Sequence, residues 1–262
     1  MTATARKLTK TEPWRSPFHR ARYRRDGELT KKERNAIVAH FERREPWRRR
    51  RASGLRHLPE AHPLAPLLRP VRDALEFMGT KPTDRNATLS ILLRACLETG
   101  TTFWGWDREQ WVALLGSHSR AFRARHQGRV SQSVRLEIAA VAYLHGWFRD
   151  VLALGRFQRD ALARRAFGTD AIDEAARRLL EPLKQWGYET STPHLSCLCE
   201  MLLLNESPLV DAITAGHLER CRRKVDASKR SLYFQLAKAL SIDGVLDAPL
   251  PTAQPVAPQE RV

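Results

Sequence analysis

The sequence lacks any long hydrophobic run. No apolar stretch approaches the about 18 residues that cross a bilayer, and the start of the chain has no uninterrupted apolar segment typical of signal peptides. We therefore predict a soluble, cytoplasmic protein that does not enter a membrane. Cysteine is also scarce, because the four cysteines are scattered and do not form the even framework of a small secreted domain. This cysteine pattern favours a reducing compartment.

Motifs of familiar catalytic centres are missing as well. The chain has no Gly-rich phosphate loop, no Gly-x-Ser-x-Gly elbow and no His-Glu-x-x-His pair. Residues 217–220, His-Leu-Glu-Arg, followed by Tyr233, contain the side chains that a tyrosine nucleophile needs for phosphoryl transfer. The same His-x-x-Arg pattern recurs at 19–22 and 126–129 in an arginine-rich chain, and Tyr233 lies in an apolar pattern. We therefore predict that Tyr233 is a core residue, that the chain is not an enzyme and that it needs no cofactor.

One group of side chains has a spacing compatible with a metal ion. The spacing of three and four residues within helices would bring four of its ligands around one tetrahedral zinc. The members of this group are His194, Cys197, Cys199, His217 and Cys221. Paired C-x2-C knuckles are absent, and buried thiols in an apolar helix are common core residues. The prediction is no metal, with this group as the candidate ligand set if one were bound.

Sustained period-two alternation, which marks β-strands, is also absent. We therefore predict an all-α fold with a compact multi-helix domain. Capping-box spacings at Thr30 with Glu33 and at Asp107 with Gln110 mark two helix starts, and Gly100 marks a helix end. The predicted helices start near 30, 86, 107, 131, 170, 192, 207, 214 and 228, and the one from 131 runs to about 155 as the most buried helix.

Proline and charge divide the chain into four parts. We predict a basic, partly disordered arm over 1–56 and a Pro-rich linker over 57–82 with room for one short helix. We predict the helical domain over 83–247 and a disordered, Pro-rich tail over 248–262.

Three tryptophans lie close together at a predicted helix start. Trp104, Trp106 and Trp111 flank the Asp107 cap. We predict a hydrophobic corner that locks two helices together, with stacking on a base or a peptide as the alternative.

What the chain has in excess is positive charge. The formal net charge is +16, and residues 1–56 contain 18 Lys and Arg against 6 Asp and Glu, a local net charge of +12. Such a basic arm favours a polyanion, and double-stranded DNA is the predicted partner. The candidate DNA contacts are Arg48, Arg49, Arg50, Arg51, Arg120, Arg123, Arg125 and Arg129.

Parts of the segment from Arg94 to Asp247 resemble a known family. The matching residues are 102–107 (TFWGWD), 199–208 (CEMLLLNESP), 228–240 and 244–247 (GVLD). They resemble the helical N-terminal portion of the long tyrosine-type site-specific integrases of bacterial mobile elements.

The resemblance implies a helical DNA-binding module of recombination, integration or transposition. In that family a separate C-terminal domain carries the catalytic Arg, Lys, His and Tyr, whereas this sequence continues into the Pro-rich tail, so no catalytic position is carried over. The implied product is a truncated or split integrase, or a free-standing DNA-binding relative. Its protein partner would be a second copy of the chain or a separate catalytic recombinase chain. The alternative is a helical protein-protein interaction module.

Overall fold

The structure is a computed structural model that describes residues 16–18, 27–42, 55, 58–115, 132–151, 154, 156–188, 190, 192–224 and 227–242. These residues contain α-helices and short 3-10 turns but no β-strand, which confirms the all-α prediction. The predicted tail at 248–262 and most of the predicted basic arm lie outside the described residues. The helices are α1 (Lys31–Glu42), α2 (Ala65–Phe77), α3 (Pro82–Thr99), α4 (Arg108–Leu115), α5 (Gln132–His145), α6 (Arg156–Phe167), α7 (Thr169–Gln185), α8 (Thr192–Leu204), α9 (Ala215–Lys224) and α10 (Ala227–Ile242).

The helices belong to two compact units. Unit A is Arg15–Gly168 and contains α1 to α6, whereas α7 to α10 belong to unit B, whose described residues lie between Thr169 and Ile242. The boundary falls at Gly168, whose positive φ of 92° separates α6 from α7. It lies inside the helical domain that the sequence predicted over 83–247. None of the described helices is long and apolar enough to cross a membrane.

Helix α5 is the centre of unit A. It packs against α2, α3, α4 and α6, and for this reason the residues from Ile138 to Leu144 are buried around the whole helix. The sequence predicted this buried helix but extended it to about 155. Gly146, with φ of 74°, ends it earlier, because the amides of Gly146 and Trp147 bond back to the carbonyls of Tyr143 and Ala142, which is a Schellman motif.

Helix α6 was not predicted from the sequence. Its buried residues Leu162, Ala163 and Ala166 include two alanines, and the remaining positions are rich in arginine. A face made largely of small residues gives a weak periodic signal, although it packs closely on α5.

Helix α2 lies within the predicted Pro-rich linker. Pro66 occupies its first turn, where a missing amide hydrogen costs little, and Leu67, Leu68 and Val71 are fully buried. The predicted short helix is therefore present, longer than expected, and part of the core of unit A.

The predicted helix caps are mostly confirmed. The Thr30 amide donates to Glu33 Oε2 at 2.9 Å and the Glu33 amide to Thr30 Oγ1 at 3.2 Å, as a capping box requires. Asp107 and Gln110 form the same pair of bonds at 2.9 and 2.8 Å. Gly100, with φ of 74°, ends α3 as predicted, but α3 begins at Pro82, because proline at the first helical position starts the helix before Asn86.

Unit B is built around α8. Its residues from Ser196 to Leu203 are all buried, and α10 packs against α7, α8 and α9. Tyr233 on α10 is only 2% exposed, which confirms the prediction that it is a core residue. The helix predicted near 207 is instead a 3-10 turn, Val210–Ala212, because the next helix cap at Thr214 leaves no room for more.

Candidate functional site

The arginines predicted to contact DNA lie outside the described residues. Arg48 to Arg51 fall between the end of α1 at Glu42 and the buried Leu55. Arg120, Arg123, Arg125 and Arg129 fall between α4 and α5. Both groups belong to stretches of unit A that connect described helices. Their contact with DNA stays a prediction.

The structure gives the described members of the candidate zinc set other roles. His194 is 4% exposed, and its Nε2 lies 2.7 Å from Gln235 Oε1 on α10. His217 Nδ1 lies 3.2 Å from the amide of Thr214 and 2.7 Å from its hydroxyl, so this histidine caps α9. Cys197 and Cys199 are buried and form no disulfide. Within the described part of the chain, no three His, Cys, Asp or Glu side chains gather as a metal site, and the side chain of Cys221 lies outside that part.

The formal charge is divided sharply between the two units. Between Arg15 and Gly168 there are 31 Lys and Arg against 15 Asp and Glu, so this unit alone has a net charge of +16. Residues 169–242 contain 10 of each sign and are neutral overall. The excess positive charge therefore lies between Arg15 and Gly168 and extends beyond the predicted arm at 1–56.

A buried polar cluster joins four segments of unit A. Glu137 on α5 is fully buried, and its Oε2 accepts a hydrogen bond of 2.7 Å from the hydroxyl of Thr80, which precedes α3. Its Oε1 lies 3.2 Å from the guanidinium of Arg165 on α6. On the same side of α5, Ser133 donates to Asp84 at 3.0 Å. The cluster therefore ties α5 to α6 and to the N-terminal end of α3.

The neighbours of Glu137 shift its pKa in opposite directions. Burial raises the pKa of Glu137, the Thr80 hydrogen bond and the Arg165 charge lower it, and the Asp84 carboxylate raises it further. Because burial has the largest effect, the charged form of Glu137 is less favoured in the folded protein than in water. A buried carboxylate with only two direct partners fits a structural role in joining helices better than a catalytic one.

Sequence reasoning missed Glu137, although a signal for it was present. Val134, Glu137, Ile138 and Val141 share one face of α5 at helical spacing, so a charged residue stands among the core positions. Such a position predicts a buried partner in the fold.

The predicted tryptophan corner is confirmed at two of its three residues. Trp111 is 1% exposed and Trp106 is 7% exposed, and their rings lie 4.9 Å apart. The ring of Phe103 packs edge-on against Trp106 and is fully buried. Trp104, in contrast, is only half-buried.

Comparison with known proteins found no match among family models, curated proteins or solved structures. The function is therefore argued from charge, burial and contacts.

Proposed function

We propose that the protein binds double-stranded DNA through unit A, as a non-catalytic component of site-specific recombination, integration or transposition. The observation that carries the proposal is the charge division, with +16 between Arg15 and Gly168 and no net charge over 169–242. A unit of such charge attracts the phosphate backbone and gains free energy when condensed counterions are released.

The two units suit different roles in this proposal. Arg48 to Arg51 and the arginines at 120, 123, 125 and 129 supply phosphate contacts from two segments that join helices of unit A. Helices α1 and α4, which pack in unit A, precede these two segments. Unit B is helical and has no net charge over 169–242, so it neither attracts nor repels DNA strongly. It suits contact with a second copy of the chain or with a catalytic recombinase chain.

A salt titration tests the proposal. The full chain is titrated with a labelled random-sequence duplex over a range of salt concentrations, by anisotropy or gel shift. We expect tight binding at low salt and a linear fall of log K with log salt, because counterion release follows that law. Replacing Arg48, Arg49, Arg50 and Arg51 by glutamine lowers the slope by up to about 0.9 for each phosphate that is no longer neutralised, and weakens binding to all duplexes alike.

The chain offers a matched control in unit B. Arg220, Arg222, Arg223 and Lys224 form a comparable run on α9, and their replacement by glutamine removes the same four charges. The proposal expects this control to keep the wild-type slope. Absence of a shift at low salt would contradict DNA binding and favour the protein-interaction alternative.

A further inference from the structure

The buried polar cluster leaves the Glu137 carboxylate incompletely paired. The side chain is fully buried, and the Thr80 hydroxyl donates to its Oε2 at 2.7 Å. Its Oε1 accepts no hydrogen bond from the described residues, and the Arg165 guanidinium lies 3.2 Å away. A buried carboxylate that accepts one hydrogen bond is solvated less well than the same carboxylate in water. The packed structure therefore disfavours the ionised form of Glu137.

The charged groups around Glu137 offset this cost only in part. Arg165 on α6 attracts the carboxylate, but its side chain is 38% exposed, so water screens the attraction. Asp84 on α3 repels the ionised form, and the neighbouring Arg85 donates to the Thr80 carbonyl at 2.7 Å. The described residues of α2 and α4, which also pack on α5, add no charged group to the causes of the pKa shift.

Helix α6 is the element that can move away from this carboxylate at the lowest cost. The described part of its inner face buries Leu162, Ala163 and Ala166, whereas α3 buries three leucines. A smaller buried apolar area means that less free energy is needed to open the helix locally. Arg165 already reaches water, so its charge needs no new partner when α6 moves. Local opening of α6 would let water reach Glu137.

We propose that Glu137 is a pH-sensitive switch for α6, in which ionisation of the buried carboxylate loosens the packing of α6 on α5 and protonation tightens it. The direction follows from proton linkage. Because burial raises the pKa of Glu137 from 4.5, the group holds its proton more tightly when α6 is packed than when water reaches it. The packed state loses this advantage as pH rises through the raised pKa. The switch does not depend on DNA binding.

Hydrogen–deuterium exchange of the full chain at about pH 5 to 8 tests the switch. The rates are corrected for the pH dependence of exchange in an unstructured chain, and amides of α6 are compared with those of α2 in the same unit. We expect the opening of α6 to increase by up to about tenfold per pH unit, because one proton is linked to it, while α2 changes less. Glu137→Gln keeps the shape of the side chain but cannot ionise, and it should remove this increase.

Two charge variants leave Glu137 in place and should act in opposite directions. Arg165→Gln removes the cation that favours the ionised carboxylate, so the increase in opening with pH should become larger. Arg165→Lys keeps that charge and is its matched control, which should stay closer to wild type. Asp84→Asn removes the repelling carboxylate but keeps an oxygen that can accept from Ser133, so the increase should become smaller. Circular dichroism checks the fold of each variant.

The outcomes separate a switch from a purely structural cluster. Opening of α6 that rises with pH, no longer does so in Glu137→Gln and responds oppositely to the two charge variants would support the switch. Opening that does not change with pH, or that changes in Glu137→Gln as it does in wild type, would contradict it. An equal change in α2 would show unfolding of the whole unit and would contradict it as well. If Glu137→Gln does not fold, the opposite responses of Arg165→Gln and Asp84→Asn decide the question.

Discussion

At the scale of single residues, His145 and Glu137 stand out as titratable groups in the core of unit A. Both lie on α5, and in both the largest influence on the pKa is burial. Burial lowers the pKa of the histidine and raises that of the glutamate, because it disfavours the charged form of each. Folding therefore shifts each group toward its neutral form relative to the same group in water.

His145 should make stability depend on pH. Its pKa of about 4 in the folded protein lies below the ordinary value of 6.5. As pH falls from about 6.5 to 4, the unfolded chain takes up a proton that the folded chain does not, so the free energy of unfolding decreases. The shift corresponds to a decrease of about 3 kcal/mol, complete below pH 4.

The test compares wild type with His145→Phe, which keeps a ring against Trp147 but does not titrate. Urea unfolding is followed by circular dichroism at several pH values from 7 to 4. The variant also lacks the interaction between His145 Nε2 and the Pro70 carbonyl, which lie 3.0 Å apart. This loss shifts the free energy of unfolding by the same amount at every pH. The titration of His145 is therefore read from how the difference between wild type and variant changes with pH. A stability difference that does not change between pH 7 and pH 4 would rule out the buried neutral histidine. His62→Phe, in the turn before α2, controls for removal of one histidine.

At the scale of elements, two backbone segments of unit A pair closely in an antiparallel bridge between Glu28 and Thr101. Gly27 has φ of 62°, its carbonyl accepts the Thr102 amide at 2.6 Å, and the Leu29 amide donates to the Gly100 carbonyl at 3.2 Å. A Cβ on Gly105 would lie 3.0 Å from the Cα of Gly27, which is tighter than nearly all real Cβ packing distances. The approach favours glycine on both sides.

Alanine substitutions at two glycines should therefore differ in their effect. Gly105→Ala forces the paired segments apart and should lower the free energy of unfolding by about 1–3 kcal/mol. Gly216→Ala lies in α9 where the nearest atom is 3.7 Å away, so it should be neutral or stabilising by about 0.5–1 kcal/mol. Denaturant unfolding of both variants measures the difference. Equal effects of the two substitutions would show that the close approach carries no strain.

Local chemistry explains which elements were predictable. The caps at Thr30 and Asp107 depend on side chains three residues apart, so the sequence reveals them directly. Helix α6 was missed because its inner face is largely alanine, and α5 was extended too far because apolar residues continue beyond Gly146. Patterns of hydrophobicity locate helices well and their ends less well.

Contacts between distant segments were less predictable for a physical reason. The rings of Phe18 and Phe77 pack together, and so do those of Phe103 and Trp147, although the two members of each pair are far apart in sequence. No local pattern encodes such a meeting. The basic charge was visible in the sequence, but its limit at Gly168 follows from the packing of the units.

At the scale of the whole molecule, the protein combines a positively charged unit with a neutral one. Hydrophobic cores hold both together, so charge is not needed for folding and raises self-repulsion within unit A. An anionic partner would relieve that repulsion. Unit B, with balanced charge, has no such requirement.

Hydrogen–deuterium exchange of the full chain, with and without duplex DNA at low salt, tests this separation most directly. We predict that DNA slows exchange of amides between Arg15 and Gly168, in and beside the basic segments that follow α1 and α4, while exchange over 169–242 stays unchanged. Protection confined to 169–242, or no protection anywhere at saturating DNA, would contradict it.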